Sequence, residues 1–145
     1  MGGEMIRSFA GENRFLSNFF PAEVVLDRIS YRTIEHAYQA AKSIDPLVRE
    51  QIQKAPSPGK AKALGKKLDI RTNWEEIKIG IMRDLIQQKF ANHELRERLI
   101  ATQGEIIEGN TWGDTFWGVC DGKGRNILGI LLMEEREKLL KGEKS

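Results

Sequence analysis

Residues 73–89 read NWEEIKIGIMRDLIQQK. Trp74, Ile77, Ile81 and Leu85 recur at helical spacing, with Met82 and Ile86 widening the apolar stripe. Asn73, followed three residues later by Glu76, completes a capping-box pattern, so the stretch predicts the clearest helix of the chain. Working toward the C-terminus, Asn92 or His93 starts a shorter helix through Leu95 and Leu99 that Gly104 can end. A loop rich in Gly, Trp and Asp spans residues 108–126, and its DGKG segment (121–124) reads as a turn between two short extended pieces. A last helix runs from about Asn126 toward Lys141, with Leu128, Leu131, Leu132 and Leu139 on its buried side, and the lysine-bearing tail after Gly142 is expected to fray.

Toward the N-terminus the helical signals continue. Ser57-Pro58 opens a helix carrying Ala61, Leu64 and Leu68, and Asp45-Pro46 opens one with Leu47, Val48 and Ile52 on one side. Thr33 caps a third that runs to about Ser43. Before it come strand and turn signals. Met5 to Ala10 reads as a short strand, and Glu23–Leu26 and Ile29–Tyr31 flank a hairpin turn at Asp27-Arg28. The aromatic-dense NRFLSNFFP (13–21), ended by Pro21, is expected to be a loop that packs inward. The expected class is helix-rich α+β with minor antiparallel strands, one domain over residues 1–145, without repeat or linker.

Composition narrows the chemistry. The chain has 145 residues, enough for a sizeable core, with 40% hydrophobic and 30% charged residues. A net charge of +2 does not by itself identify a nucleic-acid binder. One cysteine precludes an internal disulfide framework, and no apolar run approaches the ~20 residues that span a bilayer, so a cytoplasmic protein without membrane attachment is expected. Two histidines and one cysteine cannot build a His/Cys zinc cluster. There is no G-x-S-x-G elbow, and Gly59-Lys60 and Gly65-Lys66 lack the Ser or Thr of a phosphate loop. Carboxylate, lysine and aromatic chemistry remain, and no metal or cofactor is expected.

Two segments carry that chemistry. In TIEHAYQAAK (33–42), Glu35, Tyr38, Gln39 and Lys42 fall on one helical face, where an acid, a phenol, an amide and an amine can act on a sugar. The bland alternative is a solvated face whose Glu35 gains roughly 0.3–1 kcal/mol from the helix dipole. In NTWGDTFWG (110–118), Gly113 lets backbone approach a ligand, Trp112 and Trp117 offer flat faces, and Asp114 can accept from ribose hydroxyls or activate water. Alternatively the aromatics plug the core and Asp114 satisfies loop amides. GKAKALGKK (59–67) supplies Lys62 and Lys66, either a phosphate site or a solvated basic face. His36 reads as structural, His93 as a surface residue, and Trp74 as core on spacing alone.

Taken together, FLSNFFP (15–21), YRTIEHAYQAAK (31–42), GKAKALGKK (59–67), the Trp74-led helix with KFANHELRERLIAT (89–102), EGNTWGDTFWG (108–118) and GRNILGILLM (124–133) resemble the NADAR superfamily with its YbiA-like members. The resemblance implies a YbiA-like single domain and hydrolysis of N-glycosidic bonds to ribose. Two substrate classes come with it: phosphoribosylamino-pyrimidine intermediates of riboflavin synthesis, and ADP-ribose attached to guanine in DNA or RNA. The second would be an antitoxin or repair activity, with a toxin partner in the operon. The family's positions fall here on Glu35, Trp74, Trp112 and Asp114, with Lys42 as a further candidate that protonates the departing nitrogen or attacks the opened sugar. Arg14, Lys62 and Lys66 are candidates for phosphate. Asn18, Phe20, Tyr38, Gly113 and Trp117 complete the expected pocket. The rival reading is a module that binds NAD or ADP-ribose without cleaving it.

Overall fold

A computed structural model of the chain describes residues 5–142, so the expected fraying after Gly142 lies outside the described residues. In chain order the elements are a 3-10 helix Gly11–Leu16, β1 Val24–Leu26, β2 Ile29–Tyr31, α1 Ile34–Ala41, α2 Pro46–Gln53, α3 Pro58–Gly65, α4 Trp74–Lys89, α5 His93–Ile100, β3 Gly109–Asn110, β4 Val119–Cys120 and α6 Ile127–Leu140. The helix-rich α+β class is the observed one. No described helix is long and apolar enough to cross a membrane.

The chain divides into two compact units, one from Asn18 to Lys89 and the other holding the chain up to Ser17 and again from Phe90. In the first, β1 and β2 form an antiparallel hairpin with Val24 opposite Tyr31. Asp27 and Arg28 both take positive φ (48° and 71°), which suits the right-handed twist of a two-residue hairpin. Arg49 braces this turn, donating to Asp27 Oδ2 at 2.6 Å and to the Ser43 carbonyl at 2.8 Å. At the centre lies α1, buried along its whole length and packed on α2, α3, α4 and both strands. Ala37, Ala40 and Ala41 have no exposed surface, so neighbouring backbones approach closely. The start of α1 is fixed by Thr33, whose Oγ1 accepts from the His36 backbone N–H at 3.1 Å.

Asp45 and Ser57 cap α2 and α3 as the sequence predicts, each followed by Pro at the first position. Three details differ. Leu47, expected on one side of α2 with Ile52, is 71% exposed, while Ile52 and Arg49 occupy the inward side. The third helix stops at Gly65, before Leu68. The capping box at Asn73 does not form as expected: Asn73 Oδ1 accepts from Arg71 Nε at 2.9 Å, and α4 starts at Trp74.

In the second unit, Phe15, Leu16, Phe90, Leu95, Leu99, Ile106, Leu128, Leu131 and Leu132 are buried, and Phe15 meets Phe90 edge-on at 6.4 Å. Helices α5 and α6 pack together. The expected strand at Met5–Ala10 reduces to a bridge between Ile6 and Ile106, and NRFLSNFFP begins inside the 3-10 helix rather than in a plain loop. Strands β3 and β4 pair in parallel, not antiparallel, because residues 111–118 loop back before the chain extends again. Asn126 precedes α6 in the left-handed region (φ 53°) and ties residues 106–108 down, accepting from the Glu108 N–H and donating to the Ile106 carbonyl, both at 2.9 Å.

Candidate active site

The expected site residues divide between the units. Asn18, Phe20, Glu35, Tyr38, Lys42, Lys62, Lys66 and Trp74 lie in the Asn18–Lys89 unit; Arg14, Trp112, Gly113, Asp114 and Trp117 lie in the other.

In the first group, α1 determines the geometry. Glu35 sits in its first turn, only 7% exposed, where the unpaired N–H groups of the helix start favour negative charge. Its backbone N–H donates to the Asn18 carbonyl at 3.1 Å, and its Oε2 accepts from Gln39 Nε2 at 2.6 Å. One turn on, the Tyr38 ring packs on Trp74 with centroids 5.2 Å apart, and Lys42 Nζ lies 5.5 Å from the Tyr38 centroid. Trp74 is therefore part of the wall beside α1 as well as the head of the α4 stripe. Burial pushes the Lys42 ammonium below the usual lysine range; Glu35 opposes this shift, and Lys62, Lys78 and Lys66 reinforce it. Lys62 from α3 and Lys66 just past its end, with Lys78 from α4, thus place positive charge around Lys42. Asn18 donates its side-chain amide to the Met82 sulfur at 3.7 Å.

His36 has a structural place. Its Nδ1 lies 2.8 Å from Thr33 Oγ1 and its Nε2 3.1 Å from the Ala55 carbonyl, an arrangement for a neutral ring donating from Nε2. Burial holds it below the usual histidine range.

In the other unit, the 108–118 loop is organised around Asn110 and Asp114. Asn110 accepts from the Asp114 N–H at 3.0 Å and donates both to the Asp114 carbonyl at 2.8 Å and to Glu108 Oε2 at 3.0 Å. Asp114 Oδ1 in turn accepts from the N–H groups of Phe116 and Trp117, at 3.0 and 2.9 Å. Gly113 takes φ +84°, and this turn presents Trp112 60% exposed. Trp117 meets Phe116 edge-on at 4.9 Å, with the Arg125 guanidinium 5.0 Å from the Phe116 centroid. Arg14 is exposed on the 3-10 helix.

Sequence reasoning gave no role to Lys89. It closes α4, only 2% exposed, with Nζ 5.6 Å from the Phe20 centroid, and burial lowers its ammonium to about 7. The signal was present: Lys89 falls four residues after Leu85 and three after Ile86, so the apolar stripe runs straight into it. Gln39 was read as one member of a polar face, not as the partner of Glu35.

The NADAR domain model matches residues 7–140. N-glycosidase YbiA of Escherichia coli is 40% identical over 127 residues, covering 85% of this chain and 79% of that protein. An N-glycosidase of Nostoc punctiforme is 36% identical over 130 residues, covering 85% and 83%. A riboflavin biosynthesis protein of Vibrio vulnificus is 34% identical over 129 residues, which are 86% of this chain and 35% of that longer protein. The solution structure of E. coli YbiA superposes with a TM-score of 0.84 at 37% identity, covering 98% of this chain and 88% of that one. The domain match over residues 7–140 and the 40% identity across most of both chains identify this chain as a member of the NADAR family.

Proposed function

We infer that this N-glycosyl hydrolase cleaves the bond between a base or amine nitrogen and the anomeric carbon of a phosphorylated ribose, with phosphoribosylamino-pyrimidine intermediates of riboflavin synthesis as its substrate class. The observation that carries the reading is the buried Glu35 carboxylate, held by Gln39 at 2.6 Å in the first turn of α1, beside a lysine whose ammonium is weakened by burial. Relatives named as riboflavin biosynthesis proteins support the choice of substrate.

Breaking a ribosyl C–N bond builds positive charge on the anomeric carbon and ring oxygen. Glu35 stabilises that charge and takes a proton from the attacking water, whose oxygen bonds to the anomeric carbon. The electron pair of the breaking bond goes to the nitrogen, which Lys42 protonates. Lowering the lysine toward neutrality makes it a better acid for this step. Tyr38, Trp74 and Phe20 wall the ribose and base, with Asn18 fixing the wall through Met82. Lys62 and Lys66 receive the phosphate. In the other unit, the Asp114 carboxylate is of a kind suited to ribose hydroxyls or a water, and the loop of Trp112, Gly113 and Trp117 to a base.

A second reading, removal of ADP-ribose from guanine in a nucleic acid, is favoured by Trp112. A tryptophan 60% exposed on a glycine turn is suited to stacking on a base of a single strand. Under this reading a toxin that adds ADP-ribose is the natural partner.

The test incubates the protein with each substrate and detects the released base or amine and the free sugar phosphate by mass. Glu35→Gln keeps shape and removes charge, so turnover should fall by about two orders of magnitude or more while ligand binding survives. Wild-type turnover by Glu35→Gln removes Glu35 from the mechanism. Binding without product on either substrate would make the chain a recognition module.

A further inference from the structure

Gln39 is 3% exposed, and its two amide ends have unequal fates. Nε2 donates to Glu35 Oε2 at 2.6 Å, while Oε1 is buried without a hydrogen-bond partner. Reversing the amide would set two oxygens against each other at the carboxylate, so Glu35 dictates which way it points. A buried acceptor left unpaired is uncommon enough in proteins to require a reason. Gly65 supplies half of it. This residue closes α3 where that helix meets α1, and a β-carbon there would overlap Gln39 Oε1 and lie 2.6 Å from Gln39 Cδ. The orphaned oxygen thus lies in the space that glycine leaves open.

We propose that Gln39 is a positioning residue for hydrolysis: anchored in the notch at Gly65, its amide fixes the plane of the Glu35 carboxylate and so the direction of the oxygen that meets the anomeric carbon and water. The proposal rests on Glu35 being the acting carboxylate. A donor on a short bond restrains the Glu35 side chain, whose three rotatable bonds otherwise let the charged end wander. An error of an ångström in such a group can cost about a hundredfold in rate. Glycine at 65 and glutamine at 39 are then one device, built across two helices.

Four variants test it on whichever substrate is turned over. Gln39→Met fills the same volume without a donor; kcat should fall about tenfold or more with KM changed by less than about threefold, the pattern of a lost transition-state interaction. Gly65→Ala should do likewise, because its overlap falls on the movable end of Gln39 rather than on backbone. Combining Gly65→Ala with Gln39→Ala clears the overlap, so the thermal midpoint should recover while kcat stays low. Recovery of kcat together with the midpoint would mean that Gln39 only packs, and would overturn the proposal. So would full turnover by Gln39→Met where Glu35→Gln is inactive. Full turnover by Glu35→Gln overturns instead the reading beneath it, and the proposal with it.

Discussion

Asp114 commits one carboxylate oxygen to its own loop, where Oδ1 takes the N–H groups of Phe116 and Trp117. Asparagine can keep that acceptor and lose only the charge. Asp114→Asn should therefore retain the thermal midpoint and, if the charge orients ribose or water, lower turnover about tenfold or more; unchanged turnover leaves Asp114 as a loop brace. Asp114→Ala should lower stability by about 1–2 kcal/mol in a denaturant titration, because two N–H groups lose their acceptor. At this scale the sequence is legible where a residue's type and position agree. Glu35, Tyr38 and Lys42 stand out by helical spacing, and the structure does place them along one buried helix. Gln39 falls on the same face by spacing, but its role as the partner of Glu35 does not show in the sequence, since only the close approach of Gly65 on another helix makes that amide an anchor. Lys89 was hidden by the habit of reading lysine as surface, although its place on the stripe contradicts that habit.

Among the elements, helix starts were the most legible. Thr33, Asp45, Ser57 and Asn92 each accept from a backbone N–H two or three residues ahead, a local bond that needs no tertiary partner. At Asn73 the side-chain oxygen accepts instead from Arg71, two residues away. The β3–β4 pair was not legible, since two-residue strands carry no period and their register is set by the loop between them. Thr33 also anchors the His36 ring, so one hydroxyl serves a helix start and a buried imidazole. Thr33→Ala should cost about 2 kcal/mol or more in urea unfolding, while Thr33→Ser should stay within about 0.5 kcal/mol. Equal behaviour of the two would show that the methyl group, not the hydroxyl, holds this turn.

Global stability is where Lys89 acts as a pH sensor. Its ammonium titrates at about 7 in the folded chain and at the ordinary 10.5 when unfolded. Between those values the unfolded chain holds more protons, so this group makes stability rise with pH from about 7 to 10.5. Below pH 7 its full cost is present. Lys89→Met should therefore raise the thermal midpoint most at neutral and lower pH, and the gain should shrink toward pH 10; a gain independent of pH would refute the linkage. The whole chain also has an order imposed by its bridge at Ile6. The Ile6 N–H donates to Glu105 and its carbonyl accepts from Ile107, both at 2.8 Å, inside a unit whose two segments flank Asn18–Lys89. During synthesis that unit stays open until Ile107 leaves the ribosome, on the order of ten seconds after Ile6 at ordinary elongation rates. The uninterrupted stretch from Asn18 to Lys89, with Glu35 and Gln39 in it, has all its residues available first, and the nascent N-terminal segment waits for its partner.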